Sequence, residues 1–187
     1  MRTNDVKNSV FNILWKGFAP IRRITRPGAH ATTRTKPAEH LVLPNKIILG
    51  QVKEFIRDGH TVTIIVKGYS MRPFLEHCRD SVVLAPFSVL HVGDVVLAEI
   101  KKDVYVLHRI IELQEHKVTL MGDGNLKGTE QCRPQDVVAV VHTFIRNGKH
   151  IEADNPQWKR YARWWRALLP IRKYLLWIYK LNLDKQS

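Results

Sequence analysis

The chain is predicted to be mainly β: a compact, partly closed β domain with one helix before it and amphipathic helices after it. Three observations support this class. Between residues 62 and 145 the apolar residues fall in short, β-branched runs separated by Gly, Pro and charged turns, the pattern of several short strands in one sheet. Residues 45–58 instead repeat at helical spacing, and so do residues 156–169. At 187 residues the chain is long enough for one cored domain and too short for two.

Residues 1–44 read as a basic, loosely ordered arm, mixing Lys and Arg with Pro, Gly and Thr without a sustained period beyond a short amphipathic turn at Val10–Phe18. Val10–Ile21 is the nearest approach to a leader or anchor. It is short, contains Lys16 and ends at Arg22-Arg23, so neither a signal peptide nor a transmembrane span is expected. Residues 45–152 form the expected folded domain. Asn45 caps a helix to about Asp58, with Ile48, Val52, Phe55 and Ile56 on one face, and Gly59 stops it. Val62–Val66 then alternates as a strand and delivers the chain to Gly68-Tyr69-Ser70-Met71-Arg72-Pro73-Phe74-Leu75. Gly68 supplies the backbone freedom to turn, Pro73 fixes the next turn, and Met71 packs back onto the sheet. Ser70 is thereby the one small polar side chain on an apolar corner, the mounting of a nucleophile and also of an ordinary turn serine.

Five further strands are predicted: Ser81–Ala85, Asp94–Ile100, Val104–Leu113, Lys117–Met121 and Asp136–Ile145. Residues 153–187 form a basic, aromatic helical tail. Asn155-Pro156 starts a helix, and Trp158, Tyr161, Ala162, Trp165 and Leu168-Leu169 recur on one side. Pro170 breaks or restarts it before a second basic-aromatic segment. Two readings of the tail stay open: its apolar stripe packs on the β domain, or it lies in the interface of an anionic membrane.

The formal charge of +13 is unevenly distributed. Residues 1–36 carry a net +7, residues 37–145 a net −1 and residues 146–187 a net +7. A neutral core between basic ends fits a folded domain with surface-binding tails, such as for an anionic membrane, and no specific nucleic acid is expected as a partner. Cys78 and Cys132 lack any paired spacing and read as free, buried and inert. Despite nine histidines no ligand pair stands at zinc spacing, so neither a metal nor another cofactor is expected.

A serine nucleophile needs a base, and the base needs a group to orient it. His108 is the strong candidate for the base. It interrupts Val104-Tyr105-Val106-Leu107-His108-Arg109-Ile110-Ile111, and strand alternation sets it beside Val106 and Ile110, where desolvation favours the neutral, proton-accepting imidazole. Lys101 and Lys102 sit in a polar turn and read as solvated.

Four motifs then stand in order: Gly68-Tyr69-Ser70-Met71-Arg72-Pro73, Val92-Gly93-Asp94-Val95-Val96, His108-Arg109-Ile110 and Met121-Gly122-Asp123-Gly124-Asn125. Over residues 62–145 the chain resembles the serine peptidases of the type I signal peptidase and LexA-like clan, and Leu107-His108-Arg109-Ile110 resembles its histidine-based branch, the endoplasmic-reticulum and archaeal type. The resemblance implies a mostly β peptidase in which Ser70 attacks a peptide carbonyl and His108 is the base. It implies a peptide or preprotein substrate from which a leader or signal segment is cut, and a small-residue preference just before the cut, with Met71, Phe74 and Leu75 shaping a shallow pocket.

Two positions depart from that pattern. Where the histidine type has an acid six residues after the motif's aspartate, this chain has Thr129, followed by Glu130. Asp123 as third member, Glu130 in its place, or a Ser-His dyad all stay open. Two residues before the nucleophile, where many signal peptidases have a hydroxyl, stands Gly68, leaving the Ser70 N–H as the one assigned oxyanion donor. A cytoplasmic or peripheral position on the inner membrane surface is the expected location. The alternatives are a non-catalytic membrane- or nucleic-acid-binding module on a degenerate peptidase fold, and a LexA-like self-cleaving regulator. The latter lacks here both the Ala-Gly or Cys-Gly cleavage dipeptide and an N-terminal pair of DNA-binding helices.

Overall fold

The computed structural model describes residues 45–184. The basic arm and its amphipathic turn at Val10–Phe18 lie outside the described residues. Helix α1 spans Asn45–Arg57 and buries Leu49, Val52 and Ile56, while Phe55 stays half-buried against His60. The strands are β1 (Val62–Ile65), β2 (Ser81–Ala85), β3 (Val95–Lys101), β4 (Val104–Gln114), β5 (Lys117–Met121), β6 (Glu130–Cys132), β7 (Val137–Arg146) and β8 (Lys149–Glu152). Helices α2 (Pro156–Ala167) and α3 (Arg172–Asp184) come after them, joined by a 3-10 turn at Leu169–Ile171.

The eight strands form one antiparallel sheet, seven of them in the order β1-β2-β7-β3-β4-β5-β6 with β8 paired to β7 off this path, curled into a half-barrel, so the fold is mainly β with helices before and after it. Ten-residue β7 holds the sheet together. Val140–Ile145 borders β2 on one side, and the other side is shared, with Val137–Val140 against β3 and Thr143–Arg146 against β8. At the far end β6 comes back into contact with β3, closing the curl.

The buried apolar residues form two clusters. In the first, Leu49, Val52 and Ile56 of α1 pack with Val82, Leu84, Leu97, Phe144 and the corner residues Met71, Phe74 and Leu75. Val96, Ala98, Ile110, Val118, Leu120 and Val137 form the second, among β3, β4, β5 and the start of β7. Trp158 of α2 packs against Phe74 and Phe144, and Trp158, Ala162 and Trp165 are all buried, so the first tail helix belongs to the domain. Asn155 caps that helix by accepting the Gln157 N–H, and Pro156 begins it, as the sequence predicts.

Three expectations need correction. Cys78 is exposed, in a turn with φ +56° beyond the core edge. Cys132 is half-buried on β6, where burial and Asp136 push its thiol up to about 11. Met71, Phe74 and Leu75 are at most 3% exposed and belong to the core rather than to a shallow surface pocket; of the three only Phe74 borders a cavity, on the side of α2 and without Ser70. Among the described residues no helix is long and apolar enough to cross a membrane, and no three His, Cys, Asp or Glu side chains converge as a metal site.

Candidate active site

The corner after β1 is built from the backbone outward. Gly68 has φ +106°, a conformation a side chain would strain, and its N–H donates to His77 Nδ1 at 2.8 Å. Val66 is tied back by exchanging hydrogen bonds with Asp80 and Cys78, and the Leu75 N–H donates to the Met71 carbonyl. Beneath this turn lies Asp80, with no exposed surface. Its carboxylate accepts the backbone N–H groups of Glu76 and Asn147 and pairs with Arg79. Burial opposes the charge, but these hydrogen bonds outweigh it and hold the Asp80 carboxyl below the usual carboxylate range. Ser70 is thus mounted on a loop clamped from below, half-buried, with Tyr69 exposed beside it. Among the described residues the Ser70 N–H has no acceptor.

His108 comes from the adjoining strand. It is paired with Val96 in β3 and is 5% exposed, between Val106 and Ile110 along β4. Its Nδ1 lies 2.9 Å from Oε2 of Glu130, the first residue of β6. A carboxylate at that distance fixes the tautomer: Nδ1 carries the hydrogen and donates it, and Nε2 is left with a free lone pair.

Ser70 and His108 meet over Gly122. A methyl group placed on the Gly122 Cα would stand 3.0 Å from Ser70 Cβ and 3.1 Å from His108 Nε2, and would collide with the Ser70 carbonyl oxygen at 2.4 Å. Ser70 Cβ and His108 Nε2 are thus close enough that one side chain on Gly122 would touch both, although among the described residues no hydrogen bond joins the Ser70 hydroxyl to His108. Gly124 is held as closely, since a methyl there would be 2.7 Å from the Tyr69 carbonyl, and its N–H donates to the Ser70 carbonyl at 2.7 Å. The two glycines of the Gly-Asp-Gly-Asn stretch are therefore the contact points between its loop and the Ser70 corner, a role the sequence reading did not give them.

Asp123 points elsewhere. Its carboxylate takes both ends of the Arg109 guanidinium, at 2.9 and 2.6 Å, and both side chains are buried. Burial works against the Arg109 charge, but Asp123 outweighs it and raises the guanidinium pKa further. Arg109 also donates to the Gly93 carbonyl, so one ion pair ties together the Val92–Val96 motif, the strand of His108 and the glycine loop. Of the two acids the sequence leaves as candidates, the structure brings Glu130 to His108 and Asp123 to Arg109.

The tail helices complete the support. Trp165 Nε1 donates to the Asp123 carbonyl, Arg172 donates to the carbonyls of Asn125 and Trp165, and the Tyr179 hydroxyl donates to Glu76, which is itself paired with Arg72. No signal in the sequence links residues 165–179 to a loop some forty positions earlier. Two cavities near the site include neither Ser70 nor His108. The larger, about 1030 Å³, lies between the 86–94 loop and α2, and the other, about 500 Å³, between Phe74, Arg146 and Tyr161. Comparison with protein-family models, with curated proteins and with solved structures finds no match to this chain.

Proposed function

We propose that this chain is a serine endopeptidase of the signal-peptidase type, removing a leader or signal segment from a peptide or preprotein substrate. One observation carries the reading: Ser70 Cβ and His108 Nε2 both border the space beside Gly122 while Glu130 holds the opposite ring nitrogen, an arrangement that a substrate-bound state would tighten into a serine-histidine hydrogen bond. A serine, a histidine in one defined tautomer and an orienting carboxylate are what acyl transfer to water requires. Glu130, rather than Asp123, is the third member in this reading.

His108 Nε2 takes the proton from Ser70 Oγ as Oγ bonds to the substrate carbonyl carbon. Glu130 stabilises the imidazolium that forms, and the Ser70 N–H faces the developing oxyanion. Collapse breaks the C–N bond, and His108 gives its proton to the leaving amine. Water then loses a proton to the same nitrogen, attacks the Ser70 ester and releases the second product, with the proton returning to Oγ. Strand β1 supports an extended substrate, because it is at the end of the sheet order and runs directly into the Ser70 corner. A peptide backbone added along that edge would cross the nucleophile.

A fluorophosphonate probe tests the reading. Intact mass should rise by one adduct, mapped to Ser70, and labelling should be absent in Ser70→Ala and strongly reduced in His108→Ala. Labelling elsewhere, or equal labelling of all three proteins, would remove the proposal.

A further inference from the structure

Helix α3 has two unlike faces. Arg172, Leu175, Leu176, Tyr179 and Leu183 recur at helical spacing on the side turned to the domain, where Arg172 is 3% exposed and the Tyr179 hydroxyl is bonded to Glu76. The opposite side consists of Tyr174, Trp177, Ile178 and Leu181, with exposures from 42% to 66%. A helix already seated on its domain normally turns polar residues outward. This one is apolar on both sides, and the outward apolar stripe continues at the preceding turn with Leu169 and Ile171, at 40% and 48%. Contiguous exposed apolar surface of this kind marks a binding face.

Charge identifies the occupant. Lys173 and Lys180 flank the outward stripe and are both exposed, and residues 146–187 together carry a net +7. Trp and Tyr favour the headgroup level of a bilayer, long lysine side chains reach back to the phosphates, and each basic residue near an anionic surface adds to the attraction. A second copy of the chain would bring like charges together at that face. We infer that the outward face of α3 is a docking surface for an anionic lipid bilayer, on which the helix lies in the interfacial plane without crossing it. The inward face of α3 holds Glu76 and Asn125, so docking would set the Ser70 corner close to the membrane surface. The inference does not depend on the peptidase reading, and Ser70→Ala should bind lipid as the parent does.

The test is co-sedimentation of the full chain with vesicles of phosphatidylcholine alone and of phosphatidylcholine mixed with phosphatidylglycerol. Binding is expected only to the mixed vesicles. Trp177→Ser with Ile178→Ser should weaken it by roughly tenfold or more, and Lys173→Glu with Lys180→Glu by roughly tenfold. All four side chains are exposed, so the thermal transition should not move. In parallel, doxyl-labelled lipid should quench a tryptophan component that Trp177→Phe lacks. Undiminished binding by the Trp177/Ile178 variant would overturn the inference, since another basic segment would then be responsible. So would failure to bind either vesicle, or a dimer in lipid-free solution that the same two substitutions dissociate.

Discussion

His108 Nδ1 lies 2.9 Å from Glu130 Oε2, although the two residues are 22 positions apart and separated by β5 and the glycine loop. The curl of the sheet produces this contact. β4 pairs with β5, β5 with β6, and β6 bends back toward β3, which carries its first residue to the strand of the histidine.

The two acids therefore predict opposite phenotypes. Glu130→Gln keeps the shape but removes the charge that stabilises the imidazolium and no longer fixes the His108 tautomer, and cleavage should fall by about 10²–10⁴-fold with the melting temperature nearly unchanged. Asp123→Asn strips a buried guanidinium of its counter-charge and should cost about 3–5 kcal/mol of stability. Chemical denaturation and peptidase rates, measured on both variants, separate the two roles.

Gly122→Ala places a methyl group between Ser70 and His108 and against the Ser70 carbonyl. Peptidase turnover should be lost, and because the collision is with backbone the loop must shift, which should appear as chemical-shift changes at Tyr69–Arg72 in amide spectra. An active Gly122→Ala protein would mean that the two side chains do not meet as described.

Trp158 is 7% exposed and joins α2 to Phe74 and Phe144. Trp158→Ala should destabilise the domain by about 3–5 kcal/mol, read from urea midpoints. A loss below about 1 kcal/mol would place the tail helix outside the cooperative fold.

Asp80 gives a pH dependence of defined sign. Its carboxyl titrates lower in the folded protein than in the unfolded chain, so the stabilisation is full above the unfolded value, about 3.9, and is lost as pH falls through the lower folded value. Asp80→Asn should lower stability at neutral pH by about 2–3 kcal/mol and flatten the acid limb of the stability curve. Thermal melts of both proteins across that range check the sign.

Much of this architecture was legible in the chain. Strands with alternating β-branched residues, such as Ser81–Ala85 and Lys117–Met121, fall where periodicity sets them, and Asn155-Pro156 marks the start of α2. β6 and β8 were not legible, because Glu-Gln-Cys and Lys-His-Ile-Glu are short, polar edge segments defined by their partners rather than by their own residues. Ser70 and His108 stood out as polar side chains in apolar runs. The choice between Asp123 and Glu130 did not, since it depends on which side of a strand Arg109 occupies and on how far the sheet curls. Of the two readings of the tail, packing on the domain holds for α2 and for one face of α3, while the other face of α3 is exposed.

The most direct measurement is cleavage of a library of extended peptides, in detergent or anionic lipid, by the parent protein, Ser70→Ala and His108→Ala. The account predicts cleavage at one class of site by the parent, and a loss of about 10³-fold or more in each variant with the fold retained. Cleavage by Ser70→Ala at the parent's rate would contradict it.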